Sequence, residues 1–535
     1  MSNPFFETSK EIANQFLQNI VFIDDKAFAQ TERTNHDFDA LKISQVFAES
    51  QKVCAVYKPI KESDIDNLAE LVKKADVTVI DWQINIEQAQ VENEEEDAED
   101  DDPRGPHTKR IIRSILTDSL TGQGSLKLIV IYTGEIDLNG ITDEIFNDLV
   151  PLKLVNLKKG VCQVNTENAK ILVIAKPDPE ANGDPKFKHA PELNQFVVTY
   201  EDLPNFILSK FTGMTSGLLS NFALNSLTIL RNNTFRLINS FNKELDAGFI
   251  LHRILLPIQD EAGNHLVEIF SESMKAILGY NKLNEFIDLP KLKEWIGQQN
   301  FGKEIQIAGK SFQIDQSFVS DCLEKSFLDA IIQRWNGDLS ETQKGKIIAA
   351  YEKLFRENPD IFFDENENNL NEKFSILTHH KSNHKLESTI PKLTLGTIIK
   401  EESSKRFFIC IQARCDSVRV KEERKFLFLE LLVAPQNSKF HFIIEDEKTF
   451  VHLKVIKDAF GLRTIKFNPN LDTQTILAQF VEGLYIFESN FRERFIWMAD
   501  LNESQSQRIA NNYASQLSRV GLDESEWLRR WASNN

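Results

Sequence analysis

Five short runs near the start of the chain are apolar at almost every position rather than at alternate ones: Ile20–Ile23, Val53–Tyr57, Val77–Ile80, Leu126–Tyr132 and Ile171–Ala175. A strand that is apolar on both faces must be covered on both, as happens in a parallel sheet flanked by helices. Helix-like stretches separate the runs, among them Asp64–Ala75 behind a candidate cap at Ser63, and Thr108–Thr117. Strand, helix and strand in repetition predict an α/β architecture with a doubly wound, parallel, five-stranded sheet.

Ligands of such sheets bind just beyond the carboxyl ends of the strands, so the residues that end each run carry the most information. The first run ends in Asp24 and Asp25, the third in Asp81, the fourth in Thr133 and Gly134, and the fifth in Lys176 and Pro177. Three carboxylates, a hydroxyl and an ammonium are therefore expected on one rim. A hard cation such as Mg²⁺ takes oxygen ligands and keeps several waters, and its charge lets like-charged carboxylates share a small space. With the charge balanced, one carboxylate can attack a phosphoryl group to give an acyl phosphate. Thr133 and Lys176 are placed to stabilise the transferring oxygens.

The strings IVFIDD, VIDW, IYTG and IAKP resemble those of the receiver domain of two-component response regulators, a flavodoxin-like fold, over roughly residues 12–213. The resemblance implies that Asp81 is the phosphoacceptor and that Asp24 and Asp25 are the acidic pair that holds Mg²⁺. The metal's other protein ligands would be Asp81 and the backbone carbonyl of Gln83. By the same likeness Thr133 is the switch hydroxyl, Lys176 the family's lysine and Gly134 the small residue beside the phosphate. Pro177 matches the proline of the Lys-Pro turn, whose peptide bond is usually cis. Two features depart from the family pattern. Val173 stands where many receivers carry an aromatic switch residue, with Tyr132 as an alternative, and the motif spacings imply insertions in the loops. One insertion, near 87–106, includes Glu92–Asp102, where nine of eleven residues are acidic, as in a solvated loop.

The expected organisation is a receiver domain over 1–213, a mainly helical region over 214–400 and a C-terminal α+β domain over 401–535 with antiparallel strands. Apolar residues at Ala223, Leu227, Leu230, Leu237 and Phe241 recur at helical spacing. His265–Leu278, Ser317–Trp335 and Glu341–Arg356 read the same way. A packed bundle is the plain reading of this region, and a dimerising helix pair like those of histidine kinases the alternative, so a homodimer stays open. His252 reads as a core or helix-end histidine. The strings FFICIQA, KFLFLELLV, KFHFIIE, VHLKVI and TIKFNP read as strands, followed by helices at Thr473–Glu482, Phe491–Ala499 and Ser504–Val520. An ion-pair network among Arg414, Asp416 and Arg419 is expected in the turn QARCDSVRV.

A net charge of −18 disfavours nucleic acid as a partner, and no Walker loop, dinucleotide fingerprint, nucleophile elbow or basic recognition helix occurs. No apolar run is long enough to span a membrane, no secretory signal opens the chain, and five scattered cysteines fit a reducing compartment, so a cytoplasmic location is expected. A receiver without a visible output motif resembles the atypical receivers encoded beside histidine kinases in bacterial defence operons, most closely the phosphate-buffering receiver of the Detocs phage-defence system. That likeness implies a histidine kinase as phosphodonor, a separate effector regulator sharing it, and a role as phosphate sink. The alternative is a phosphorylation-controlled switch whose C-terminal regions engage an effector.

Overall fold

All five apolar runs become strands of one sheet in the computed structural model of the chain. The structure describes residues 4–28, 38–86, 105–118, 126–177, 189–256, 261–307, 309–335, 339–357, 370–381, 390–435, 438–447, 449–456, 461–517 and 531. The acidic block Glu92–Asp102 lies outside the described residues. The chain divides into two compact units, residues 1–299 and 300–535.

In the first unit, helix α1 (Pro4–Phe16) precedes β1 (Asn19–Ile23), α2 (Ala40–Glu49), β2 (Val53–Tyr57), α3 (Glu62–Val72) and β3 (Val77–Ile80). Helix α4 (Pro106–Leu116), β4 (Lys127–Thr133), α5 (Leu138–Leu149), β5 (Lys158–Gly160), β6 (Gln163–Asn165) and β7 (Ala169–Ala175) follow. The sheet order is β2-β1-β3-β4-β7-β6-β5. Strands β2, β1, β3, β4 and β7 are parallel, with Ile23 opposite both Tyr57 and Ile80, and Thr133 opposite Ala175. Every residue of β3, and all but the first of β1 and β4, is buried, because helices cover both faces. The sheet has seven strands rather than the expected five. The short hairpin β5–β6 continues it antiparallel beyond β7, Gln163 opposite Leu172. Helix α3 begins at Glu62 rather than behind Ser63, and the Asp64 carboxylate accepts from the amides of Ile60 and Lys61.

Helices α6 (Leu203–Thr215) and α7 (Leu218–Asn232) come next. Both pack on α1, and the buried Asn221 Nδ2 donates to Ser9 Oγ at 2.9 Å. Arg231 ties the end of α7 to Asp76 and to the carbonyl of Phe16. Helical segments follow at 234–240, 246–255, 261–280 and 289–296.

The second unit opens with a hairpin, Glu304–Ile307 with Lys310–Gln313, and helices at 316–324, 327–334, 341–357 and 370–379. A nine-stranded antiparallel sheet then spans Thr397 to Asp500. Its alternation sends Phe408, Phe426, Phe428 and Phe467 into one core and Phe407, Ile409, Leu429 and Leu431 into another. Two expected helices are strands. Thr473–Glu482 includes Gln479–Val481, and Phe491–Ala499 becomes Arg494–Asp500, paired with Thr397–Glu401. Around the turn where the Arg414–Asp416–Arg419 network is expected, Asp416 pairs with Arg424 and Arg414 with Glu503, both at 3.1 Å. Among the described residues, no helix is long and apolar enough to cross a membrane.

Candidate functional site

Strand order reverses between β1 and β3, since β1 continues through α2 to β2 on one side while the later strands are laid down on the other. A crevice forms at such a switch point, beyond the strand ends. The backbone there is locked in register: Asp24 N donates to Tyr57 O at 3.1 Å, Asp81 N to Ile23 O at 2.9 Å, and Lys176 N to Thr133 O at 2.7 Å. Asp24, Asp81, Thr133 and Lys176 thus stand at adjacent strand ends, and Asp25 is one residue further along.

The side chains converge as their positions predict. Lys176 Nζ lies 2.8 Å from Asp24 Oδ2 and 3.2 Å from Asp81 Oδ1. Lys176 and Asp24 are buried, while the Asp81 side chain keeps 13% of its surface accessible, the largest share of the three. Asp24 Oδ1 accepts from Lys26 N at 2.9 Å, and Asp25 Oδ2 accepts from Asn85 N at 3.1 Å. Asp25 Oδ1 is buried without a hydrogen-bond partner. Thr133 is buried, its hydroxyl accepting from Glu135 N at 3.1 Å. Gly134 is half-buried beside it, and Gln83 is exposed two residues past Asp81. Pro177 is exposed, and its bond to Lys176 is trans rather than the cis form usual for the resembled turn. Trans is the lower-energy isomer of an X-Pro bond by about 0.5–1 kcal/mol.

Burial pushes the Asp81 carboxyl up to about 7; Lys176 opposes this, and the neighbouring Asp24 and Asp25 add to it. Burial pulls the Lys176 ammonium down, but the Asp81 and Asp24 carboxylates outweigh it and hold the group above the ordinary lysine range. One ammonium among three carboxyl groups leaves an excess of acid, which a hard divalent cation would balance.

Among the described residues, no three His, Cys, Asp or Glu side chains are arranged as a closed metal cage. Lys176 itself lies between Asp24 and Asp81. Mg²⁺ does not need such a cage, because it is usually bound through one or two carboxylates and keeps several waters. The all-oxygen donor set and the orphaned Asp25 Oδ1 fit such an ion.

Several supporting residues escape a reading of strand ends. Thr108, at the start of α4, donates its hydroxyl to the carbonyls of Asp81 and Trp82 at 2.8 and 3.0 Å. Trp82 is completely buried beneath Gly105, which has φ +67° and no room for a Cβ. Phe38 and Tyr132 flank Lys176, their ring centroids 5.5 and 5.8 Å from Nζ. Tyr132 donates its hydroxyl to Val198 O at 2.8 Å, and Val173 is fully buried in β7. The Gly105-Pro106 pair, with proline at the first helical position, is a local signal that could have placed this helix start, whereas the aromatic contacts, made between distant segments, leave no local signal.

No curated protein and no solved structure matches the chain. Residues 16–181 match the family model described as the response receiver domain, so the segment that holds these carboxylates is a receiver domain, a phosphoacceptor module of two-component signalling.

Proposed function

We propose that Asp81 is the phosphoacceptor of this receiver and that its donor is the phosphohistidine of a partner kinase. The observation that carries the reading is the convergence of Asp24, Asp25, Asp81 and Lys176 at the switch point of the sheet. An Asp81 Oδ forms the new bond to phosphorus as the bond from phosphorus to the donor imidazole breaks, and the imidazole leaves able to take up a proton. Lys176 releases Asp81 and pairs with a phosphoryl oxygen, while the Thr133 hydroxyl donates to another. Asp24, Asp25, Asp81 and the Gln83 carbonyl are the groups that would hold Mg²⁺. The bound ion would offset the charge of the transferring group.

The second part of the proposal is that the protein acts as a phosphate sink, holding phosphate that leaks from an unstimulated kinase and so protecting a separate effector regulator from accidental activation, as in an anti-phage defence circuit. Val173 supports this reading, because a small aliphatic residue buried in β7 cannot swing between two rotamers as an aromatic switch does.

Phosphorylated kinase mixed with the protein and run on a phosphate-affinity gel tests the acceptor. A shifted band is expected, and none for Asp81→Asn; a shift that persists in that variant overturns the assignment. Addition of a second receiver that shares the kinase tests the sink. Equimolar wild-type protein should lower that receiver's phosphorylation at least about twofold by competition, whereas Asp81→Asn should not.

A further inference from the structure

The Lys176 ammonium sits at the end of a flexible four-carbon stem, so two carboxylates alone leave it room to turn. Its side chain is nevertheless only 4% exposed, with the Phe38 and Tyr132 ring centroids 5.5 and 5.8 Å from Nζ. Tyr200 joins those two rings: it meets Phe38 edge-on at 6.1 Å and Tyr132 edge-on at 6.0 Å. Its hydroxyl also accepts from the amide of Asp39, the neighbour of Phe38, at 3.3 Å. Tyr200 lies beyond the residues 16–181 that match the receiver family. The chain returns it to the rim through contacts beside Lys176. Val197 pairs in parallel with Ala175, Val198 N donates to Ala175 O at 3.0 Å, and Val198 O accepts from the Tyr132 hydroxyl at 2.8 Å.

We propose that Tyr200 is a positioning residue for phosphotransfer, bracing Phe38 and Tyr132 so that the Lys176 ammonium stays beside Asp24 and Asp81. Edge-to-face rings at this separation hold one another's orientation. A ring attracts a cation without fixing one hydrogen-bond direction, so the ammonium can pass from Asp81 to a phosphoryl oxygen without leaving its aromatic walls. In the absence of Tyr200 the two rings lose the partner they share, and the ammonium approaches the transferring group from a wider range of positions. That slows the transfer step rather than the encounter with the kinase. The effect on transfer rests on Asp81 as acceptor; the bracing of Lys176 does not.

Two measurements on the full chain test it. In NMR spectra of ¹³C-lysine-labelled protein, with Lys176→Met to identify the signals, the Lys176 Hε resonances should be displaced by the ring currents of Phe38 and Tyr132. Tyr200→Phe should keep that displacement and Tyr200→Leu should lose most of it. With phosphorylated kinase as donor, Tyr200→Leu should lower the saturating transfer rate about tenfold at an unchanged half-saturating kinase concentration, and Tyr200→Phe should stay within about threefold of wild type. In a Lys176→Met background, Tyr200→Leu should change the rate by less than about twofold, since its effect runs through the ammonium. Phe38→Leu replaces Tyr200→Leu in both measurements if the latter lacks the native circular dichroism spectrum. Unmoved lysine resonances, an unchanged rate, or a full tenfold loss on top of Lys176→Met would overturn the proposal. A wild-type chain that takes up no phosphate would overturn the acceptor reading instead, and the lysine resonances would still decide whether Tyr200 braces Lys176.

Discussion

Asp81 lies between two opposing influences, and under the proposed function their balance would set when it acts as a nucleophile. Burial and the neighbouring Asp24 and Asp25 favour its neutral form, whereas Lys176 favours the carboxylate, and the outcome is a group that titrates at about 7 rather than near 4. If Asp81 is the acceptor, only its ionised form would attack phosphorus, so without divalent cation the competent fraction should fall as pH drops below about 7 and level off above it. A bound cation favours the anion and moves the midpoint down. A ¹³C NMR titration of labelled aspartates, with Asp81→Asn to identify the signal, should show an inflection near 7 without Mg²⁺ and a clearly lower one with it. Lys176 bears on stability as well as chemistry. In Lys176→Met, Asp24 and Asp81 lose their shared buried counter-ion, which should cost about 3 kcal/mol in denaturant unfolding. Added Mg²⁺ should restore part of that loss. These residues were legible in the sequence because each terminates an apolar run, and strand ends in a parallel sheet share one rim. Asn85, Phe38 and Thr108 were not, since their contacts join segments whose proximity only the folded chain creates.

Among elements, the strands easiest to read were those buried on both faces, where nothing but a covered sheet accommodates the composition. The hairpin β5–β6 gave no such signal. KKG and QVN are short and polar, and the turn between them uses Val161 and Cys162, the latter at φ +50°, instead of the Gly or Asn that announces a tight turn. The two helices expected at Thr473–Glu482 and Phe491–Ala499 failed for a different reason. A short apolar run suits either a helix or a buried strand, and pairing with Thr397–Glu401 decides for Arg494–Asp500. Gly105 is the element-scale joint most open to test. It begins α4 with φ +67°, and a Cβ there would lie 2.8 Å from the Trp82 ring. Gly105→Ala should destabilise the first unit by about 2 kcal/mol from backbone strain and displaced indole together. It should also shift α4, and Thr108 with it, away from the Asp81 carbonyl. Unfolding followed by tryptophan fluorescence, together with a slower phosphotransfer rate, would register both effects.

At the scale of the whole chain, the two units carry separate cores. One cluster runs from Ile12 to Leu224 and encloses the receiver sheet with α1 and α7, and two others lie between Leu393 and Tyr513 on the faces of the antiparallel sheet. Every residue of the carboxylate site belongs to the first unit. Each unit should therefore fold when expressed alone. The fragment 1–299 is expected to accept phosphate from the kinase within about twofold of the full-chain rate, because neither the acceptor nor its supports come from beyond residue 299. The fragment 300–535 is expected to unfold cooperatively in a calorimeter and to take up no phosphate. A 1–299 fragment that is folded by circular dichroism yet not phosphorylated would show that the donor kinase docks on the second unit. In that case the antiparallel sheet, rather than the receiver alone, would choose the partner.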